Sequence, residues 1–406
     1  MHTTIRFLIA AVLVPFAASG AQQSAPLTRS DAIAAAMERG PRAAITRADT
    51  ALASAQLLAA SALPDPVLSA TYTKDVPSYH VTASFPLDFL TLRGLRVQSA
   101  EASRVAARYR FTFDRALLAL DADTTYTRAL AAQAKVALSR RNAEAADSLR
   151  RIAVVRRDAG DVSDFDVELA TVNAGQQANL AAGDSLTLTS ALLDLQLLIG
   201  TAGNEVRIVL ADTLAAPGTI ASPAAGSSPL PVLRATAALD AADLALRLEH
   251  RSRFFLPGLV VGFDTGDPTS PTGGLLPVIG ISLPLPLFNR NRGPIAIAKA
   301  ERERAEAELS LTRNASRAEI ARAQREAAGA LGRVARDRIL VTSAERVATM
   351  SLAAYREGAA PLTSVIEAQR NSRDVLGQYI DDVASALIAS ATLHALLTTP
   401  TSGSTP

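Results

Sequence analysis

The sequence predicts a mainly α-helical fold with a β-barrel contribution: long coiled-coil helices plus four membrane β-strands per chain. Three observations predict it. Apolar residues at helical spacing run through most of the 406 residues. Two islands, residues 63–86 and 256–286, alternate instead as β-strands do. Landmarks around these islands recur at a nearly constant offset, so the chain is an internal duplication.

The N-terminus has the layout of a secretory signal peptide. Arg6 precedes an apolar run from Phe7 to Ala18, and small residues follow as far as Ala21. The run is about a dozen residues long, whereas a membrane-spanning helix needs about 20. We therefore expect residues 1–21 to be cleaved on export. We expect no transmembrane helix in the mature chain, so that entry into a membrane would require β-strands.

Both islands are predicted to form β-hairpins with two unlike faces. Apolar residues alternate with polar or small ones in each: Val81, Ala83 and Phe85 with Thr82 and Ser84, then Leu259, Val261 and Phe263 with Val260, Gly262 and Asp264.

Long helices follow the hairpins. Residues Arg93 to Asp158 contain no Pro and only Gly94 as a breaker, which at 1.5 Å per residue predicts a helix of roughly 100 Å. A matching stretch runs from Pro294 to Tyr355. Helices of this length need neighbours along their whole length, because an isolated helix is marginal in water. A coiled-coil bundle is expected.

Each long helix ends in a glycine turn, and the two turns define the repeat. Gly160 and Gly358 are placed as helix C-terminal caps 198 residues apart, and Val167 and Val365 share that offset. The expected domains are a signal peptide (1–21), a first helix, β-hairpin and helical-hairpin repeat (22–200), a linker (201–230), a second repeat (231–399) and a disordered tail (400–406).

Four strands with a lipid-compatible face cannot close a barrel alone, because closed membrane barrels start at about eight strands. Three chains of four strands would give twelve and would gather the long helices into one tube. Self-association is therefore expected if the islands are membrane strands. The alternative is a soluble periplasmic helical scaffold or adaptor protein, without a channel, in which the hairpins form a small cap.

Composition argues against other classes of function. The net charge is +2 and the charges are interspersed, so a nucleic-acid-binding stripe is not expected. The absence of Cys excludes thiol catalysis and the acylated Cys of a lipoprotein. His80, His250 and His394 lack paired spacing, and we find no nucleophile motif or phosphate loop. We expect no catalytic residue, metal or cofactor, and therefore no enzyme.

Five segments, in their order and duplication, carry a resemblance: LPDPVLSATY, FPLDFLTLRGLR, AGDVSDFDVELA, LPLPLFNRNRGPI and YREGAAPLTSVIEAQ. Over essentially the whole mature chain they resemble the outer-membrane efflux protein family typified by TolC. The resemblance implies a homotrimer with a twelve-stranded barrel in outer-membrane lipid, a periplasmic helical tunnel and an equatorial region built partly from the linker. It implies a passive exit duct of a tripartite efflux pump or type I secretion system, with a periplasmic adaptor as partner and an inner-membrane pump as an indirect one.

The resemblance also implies a pore gate at the glycine turns. Tyr355 matches the family's gate tyrosine, Glu367 matches an acid at the narrowest aperture, and Asp166 matches an acid that helps to latch the closed state. Ala360 and Ser364 depart from the pattern, since they replace the latch arginine and a second acid. We therefore expect a different latch, with candidates Arg356, Arg157, Asp161 and Asp164.

The same turns are expected to dock the adaptor. The residues at these tips are Gly160, Val162, Gly358, Pro361 and Leu362. Simpler roles stay open at the gate: Glu367 as a solvated helix charge and Tyr355 as ordinary packing in the helix seam.

Overall fold

The computed structural model describes residues 26–88, 92–201, 203, 205–206, 208–218, 228–253, 257–269, 275–283 and 290–398. The predicted fold class, mainly helical with four strands per chain, is confirmed. In chain order the elements are α1 (Arg29–Arg39), α2 (Pro41–Ser61), β1 (Val67–Tyr72), β2 (Tyr79–Pro86), α3 (Arg93–Asp158), α4 (Asp164–Leu198), α5 (Leu230–Ser252), β3 (Gly258–Thr265), β4 (Leu276–Ser282), α6 (Arg292–Arg356) and α7 (Leu362–Leu397).

The element order repeats. Helix, hairpin, long helix and returning helix occur as α2–β1–β2–α3–α4 and again as α5–β3–β4–α6–α7. The long helices α3 and α6 have 66 and 65 residues. The predicted signal peptide (1–21) and tail (400–406) lie outside the described residues, and the exact domain boundaries stay a prediction.

The four strands form one antiparallel sheet in the order β1-β2-β3-β4. The register places Leu68, Ala83, Val261 and Ile279 in one row across it. Apart from Thr265 at one end, that face is entirely apolar or aromatic, and Ile279 is 80% exposed on it. The opposite face carries the polar side chains Ser69, Thr71, His80, Thr82, Ser84, Asp264 and Ser282.

The helices form a row rather than a closed bundle. Towards the glycine turns the packing order is α4, α3, α7, α6, and towards the sheet it is α2, α3, α5, α6. Among the described residues, the outer helices of this row are therefore α2 and α4 on one side and α6 on the other. The sheet has the same two sides, with β1 following α2 and β4 preceding α6.

The largest buried cluster lies halfway along the row, where α1 and the linker pack on α3 and α4. Tyr126 is fully buried there, and its hydroxyl lies 2.8 Å from the Leu27 carbonyl oxygen and 2.9 Å from Asp212 Oδ2. Leu27 also forms a parallel bridge with Leu210. These contacts anchor part of the linker to the helical row. Burial, followed by the hydrogen bond with Asp212, raises the pKa of Tyr126 to about 12.

Among the helices of the described residues, one, α7, is long and apolar enough to cross a membrane when length and composition alone are considered. In this fold its apolar residues pack against α6, with Val383 and Leu387 beside Ala330 and Val334. The expectation that the mature chain has no transmembrane helix therefore stays a prediction.

Candidate functional site at the helical tip

The two helical hairpins end in turns of the same geometry. In the first, the N–H of Gly160 donates to the Arg157 carbonyl and that of Asp161 to the Arg156 carbonyl, both at 2.8 Å. In the second, Gly358 donates to Tyr355 at 3.0 Å and Ala359 to Ala354 at 2.8 Å. This pairing is a Schellman motif, which satisfies the last carbonyls of each long helix.

Glycine is required at both turns by the backbone. Gly160 has φ of 82° and Gly358 has φ of 76°, values in the left-handed region. There a Cβ atom approaches the following carbonyl oxygen, at a cost of roughly 1–2 kcal/mol. The glycine caps predicted from the sequence are confirmed.

Behind the turns lies a small apolar core that joins both hairpins. Tyr355 and Leu362 are each 2% exposed and pack with Leu149, Val167 and Val365. Tyr355 is thus packed in the helix seam. Leu362, expected at the docking surface, supports the turn from inside in this conformation.

The Tyr355 hydroxyl has no hydrogen-bond partner among the described residues, although it is buried. Burial raises the pKa of Tyr355. The Arg156 guanidinium opposes that rise and the Asp166 carboxylate adds to it. The side chain therefore remains a neutral phenol at physiological pH.

Asp166 interacts mainly within its own hairpin. Its backbone N–H donates to Ser163 Oγ at 3.3 Å, and its carboxylate accepts from the Ser163 N–H at 3.3 Å and from the hydroxyl at 3.0 Å. This reciprocal pair is a capping box at the start of α4. The structure brings Asp166 near Tyr355 but gives it a helix-capping role as well.

Glu367 is exposed on α7, and among the described residues no cation lies within ion-pair distance of it. The hydroxyl of the neighbouring Ser364 already has a hydrogen-bond partner, since it donates to the Pro361 carbonyl at 2.7 Å. Pro361 is exposed and Val162 is half-buried, so both turns present a surface.

Sequence reasoning missed Arg156. Its Nη1 donates to the Tyr355 carbonyl oxygen at 2.7 Å, and its guanidinium lies over the Tyr355 ring. Of the predicted latch candidates, Arg157 lies 3.8 Å from Asp164 and Asp161 lies 3.9 Å from Arg156. The only available signal was a basic pair in the last turn of α3, which did not distinguish the inward arginine from the outward one.

Comparison with known proteins is consistent with this geometry. Residues 255–399 match the family model described as outer membrane efflux protein. The outer membrane channel CmeC of Campylobacter jejuni is 15% identical with a TM-score of 0.77, over 97% of this chain and 94% of that one. The open-state outer membrane channel MtrE of Neisseria gonorrhoeae is 14% identical with a TM-score of 0.72, over 91% and 88%. No curated protein matches the chain in sequence.

The chain has the fold of an outer-membrane efflux channel. The resemblance predicted from the sequence is thereby confirmed. The matched residues include the second turn with Tyr355, Gly358 and Glu367, whereas the first turn with Gly160 and Asp166 lies outside them. Within the described part of the chain, no group of three or more His, Cys, Asp or Glu residues could hold a metal ion.

Proposed function

We propose that the chain forms a trimeric channel in the outer membrane and serves as the passive exit duct of a tripartite efflux pump or type I secretion system. The observation that carries the proposal is the two-faced sheet, whose apolar face is left exposed by the chain's own helices. In water, a contiguous exposed apolar surface of this kind marks a membrane or protein contact.

Lipid is the environment that fits the apolar face. Side chains alternate between lipid and lumen in membrane barrels, and the rows across β1 to β4 follow that rule. On the lumen side, His80 Nδ1 lies 2.8 Å from Asp264 Oδ1 and links the two halves of the chain. The rings of Tyr72 and Tyr79 pack in a tilted arrangement, with centroids 5.3 Å apart, on the apolar face at one strand end, where interfacial aromatic residues belong.

The open sides of the row account for the trimer. In the sheet that the structure describes, strands β1 and β4 leave unpaired edges, which lipid does not tolerate, so copies would pair edge to edge. Below them, α4 and α6 expose apolar residues at heptad spacing, which is a coiled-coil seam without a partner. The exposed residues are Phe165, Val172 and Leu186 on α4, and Leu340 and Val347 on α6.

A disulfide experiment tests this assembly, and the chain suits it because it contains no Cys. Val172 is the ninth residue from the tip end of α4, and Val347 is the tenth from the tip end of α6, so both seam residues lie about 12–14 Å above the turns. We expect the double variant Val172→Cys/Val347→Cys to give covalent trimers on oxidation. A mixture of the two single variants should give only dimers. Monomers alone from the double variant would favour the soluble scaffold without a channel.

The proposed gate lies at the tip. Threefold symmetry would bring three Glu367 carboxylates towards the axis, with Tyr355 and Asp166 behind them. Like charges about 7 Å apart repel by roughly 0.6 kcal/mol per pair in water, and more in a confined lumen. We expect Glu367→Ala to reduce cation selectivity in single-channel recordings. The control is Glu168→Ala, which removes an exposed charge at a similar height on α4. Equal selectivity in both variants would leave Glu367 as a solvated helix charge.

The glycine turns are the proposed docking surface for a periplasmic adaptor, with Gly160, Val162, Gly358 and Pro361 outermost and Leu362 beneath them. The inner-membrane pump would then be an indirect partner. Export by a cleaved peptide of residues 1–21 and the absence of a lipid anchor complete the proposal. Replacement of Gly358 by a bulky residue should abolish crosslinking to the adaptor, and undiminished crosslinking would count against docking here.

A further inference from the structure

Arg156 reaches from the first helical hairpin to the second. Its Nη1 donates a 2.7 Å hydrogen bond to the Tyr355 carbonyl oxygen, and its guanidinium carbon lies 4.9 Å from the centroid of the Tyr355 ring. The side chain of Arg156 is 19% exposed. Both contacts are therefore partly shielded from water, and this shielding strengthens a charged hydrogen bond and a cation–π contact.

The acceptor of this bond belongs to the turn itself. The Tyr355 carbonyl also accepts the N–H of Gly358, so Arg156 binds an atom that forms the Schellman motif. A carbonyl in the last turn of α6 lies at the negative end of the helix dipole, which favours a cation there. A Cβ added to Gly358 would lie 3.5 Å from Arg156 Nη2, so the guanidinium also sits against the glycine.

The sequence duplication does not repeat this contact: the second hairpin has no equivalent of Arg156 that could reach the first. With the offset of 198 residues, Ala354 is the equivalent of Arg156, and Tyr355 is the equivalent of Arg157. The second hairpin therefore has no cation at the position that Arg156 occupies in the first. Arg157 is the outward arginine: its Nη2 lies 2.6 Å from Asp158 and its Nη1 3.8 Å from Asp164, both in its own hairpin.

We propose that Arg156 is the positioning residue of the gate, which holds the two tip turns at their resting separation. It does so by binding the Tyr355 carbonyl across the hairpins. This inference rests on the proposed channel function.

Two measurements test it, with Arg156→Met as the variant, Arg156→Lys as the conservative variant and Arg157→Met as the matched control. The first is the distance between spin labels at Ala159→Cys and Ala359→Cys, both exposed, in labelled chains diluted with unlabelled ones. The second is single-channel conductance. We expect Arg156→Met to widen the distance distribution and to raise the open-to-closed ratio by about tenfold for each of the three charged hydrogen bonds that the trimer loses. Arg156→Lys should be intermediate and Arg157→Met unchanged.

The outcomes separate the two claims. A distance distribution and conductance in Arg156→Met that equal those of Arg157→Met overturn the role of Arg156, while conducting trimers still support the channel. A widened distribution with unchanged conductance overturns the gating role and leaves a structural tie. A wild-type protein that never conducts overturns the channel and this inference with it.

Discussion

A lysine on the apolar face of the sheet should prevent stable insertion. Ile279 is the central residue of β4 and is 80% exposed, so Ile279→Lys disturbs little protein packing. A lysine facing the bilayer midplane costs about 2–4 kcal/mol per chain, roughly 25- to 700-fold in the folding equilibrium. The matched control is Val278→Lys, which places the same charge on the adjacent residue of the opposite face.

The assay is unfolding of the protein in lipid vesicles by guanidinium. Because the chain has no Trp, the folded trimer is followed by its mobility on unheated gels. We expect Ile279→Lys to lower the unfolding midpoint strongly, and Val278→Lys to stay close to the wild type. If the sheet faced water on both sides, an exposed substitution would change stability by about 0.5 kcal/mol or less in either variant. Equal midpoints for the two variants would therefore refute the lipid-facing assignment.

Three further predictions concern the helical region, each measured as the thermal midpoint of the trimer. Tyr126→Phe should destabilise each chain by about 1–3 kcal/mol, since the one hydroxyl proton shared between the Leu27 carbonyl and the Asp212 carboxylate is lost; an unchanged midpoint would contradict this. Gly358→Ala should cost about 1–2 kcal/mol because φ is 76°, whereas no loss would mean that the turn relaxes freely. Asp337→Asn should stabilise the protein increasingly as pH rises from 4 to 7, and a pH-independent difference would oppose it.

The pH dependence expected for Asp337→Asn follows from the raised pKa of Asp337 in the folded state. Burial, followed by interaction with Asp382, raises the pKa of Asp337. A raised pKa in the folded state contributes stability that is complete below the unfolded-state pKa and is lost as pH rises through the folded-state pKa. Asn keeps a donor for Asp382 and cannot ionise. The free energy of unfolding of the variant therefore rises relative to that of the wild type as pH increases. Asp382 itself is held by Arg333 at 2.7 Å and Gln378 at 3.0 Å.

The regular parts of the fold could be predicted from the sequence because their signals are local. The breaker-free stretch predicted helix α3 with the bounds Arg93 and Asp158, and the alternating islands contained all four strands. The left-handed caps at Gly160 and Gly358 followed from residue type, since few other residues accept that conformation.

Contacts between distant residues could not be predicted in this way. Arg156 and Tyr355 are 199 residues apart, and nothing in the local pattern shows which of two adjacent arginines turns inward. The break between α1 and α2 was also missed. A Cβ at Gly40 would clash with the Ala36 carbonyl oxygen of α1 and would lie 2.9 Å from the Leu198 carbonyl oxygen of α4, so a local contact and a contact distant in sequence both require glycine there.

Whether this chain forms a channel is tested most directly by single-channel recording of the purified mature protein in planar bilayers, with its mass in mild detergent measured alongside. We expect trimers that insert and conduct in discrete steps. A monomer that never inserts would rule out the channel and would leave the soluble periplasmic scaffold as the better description.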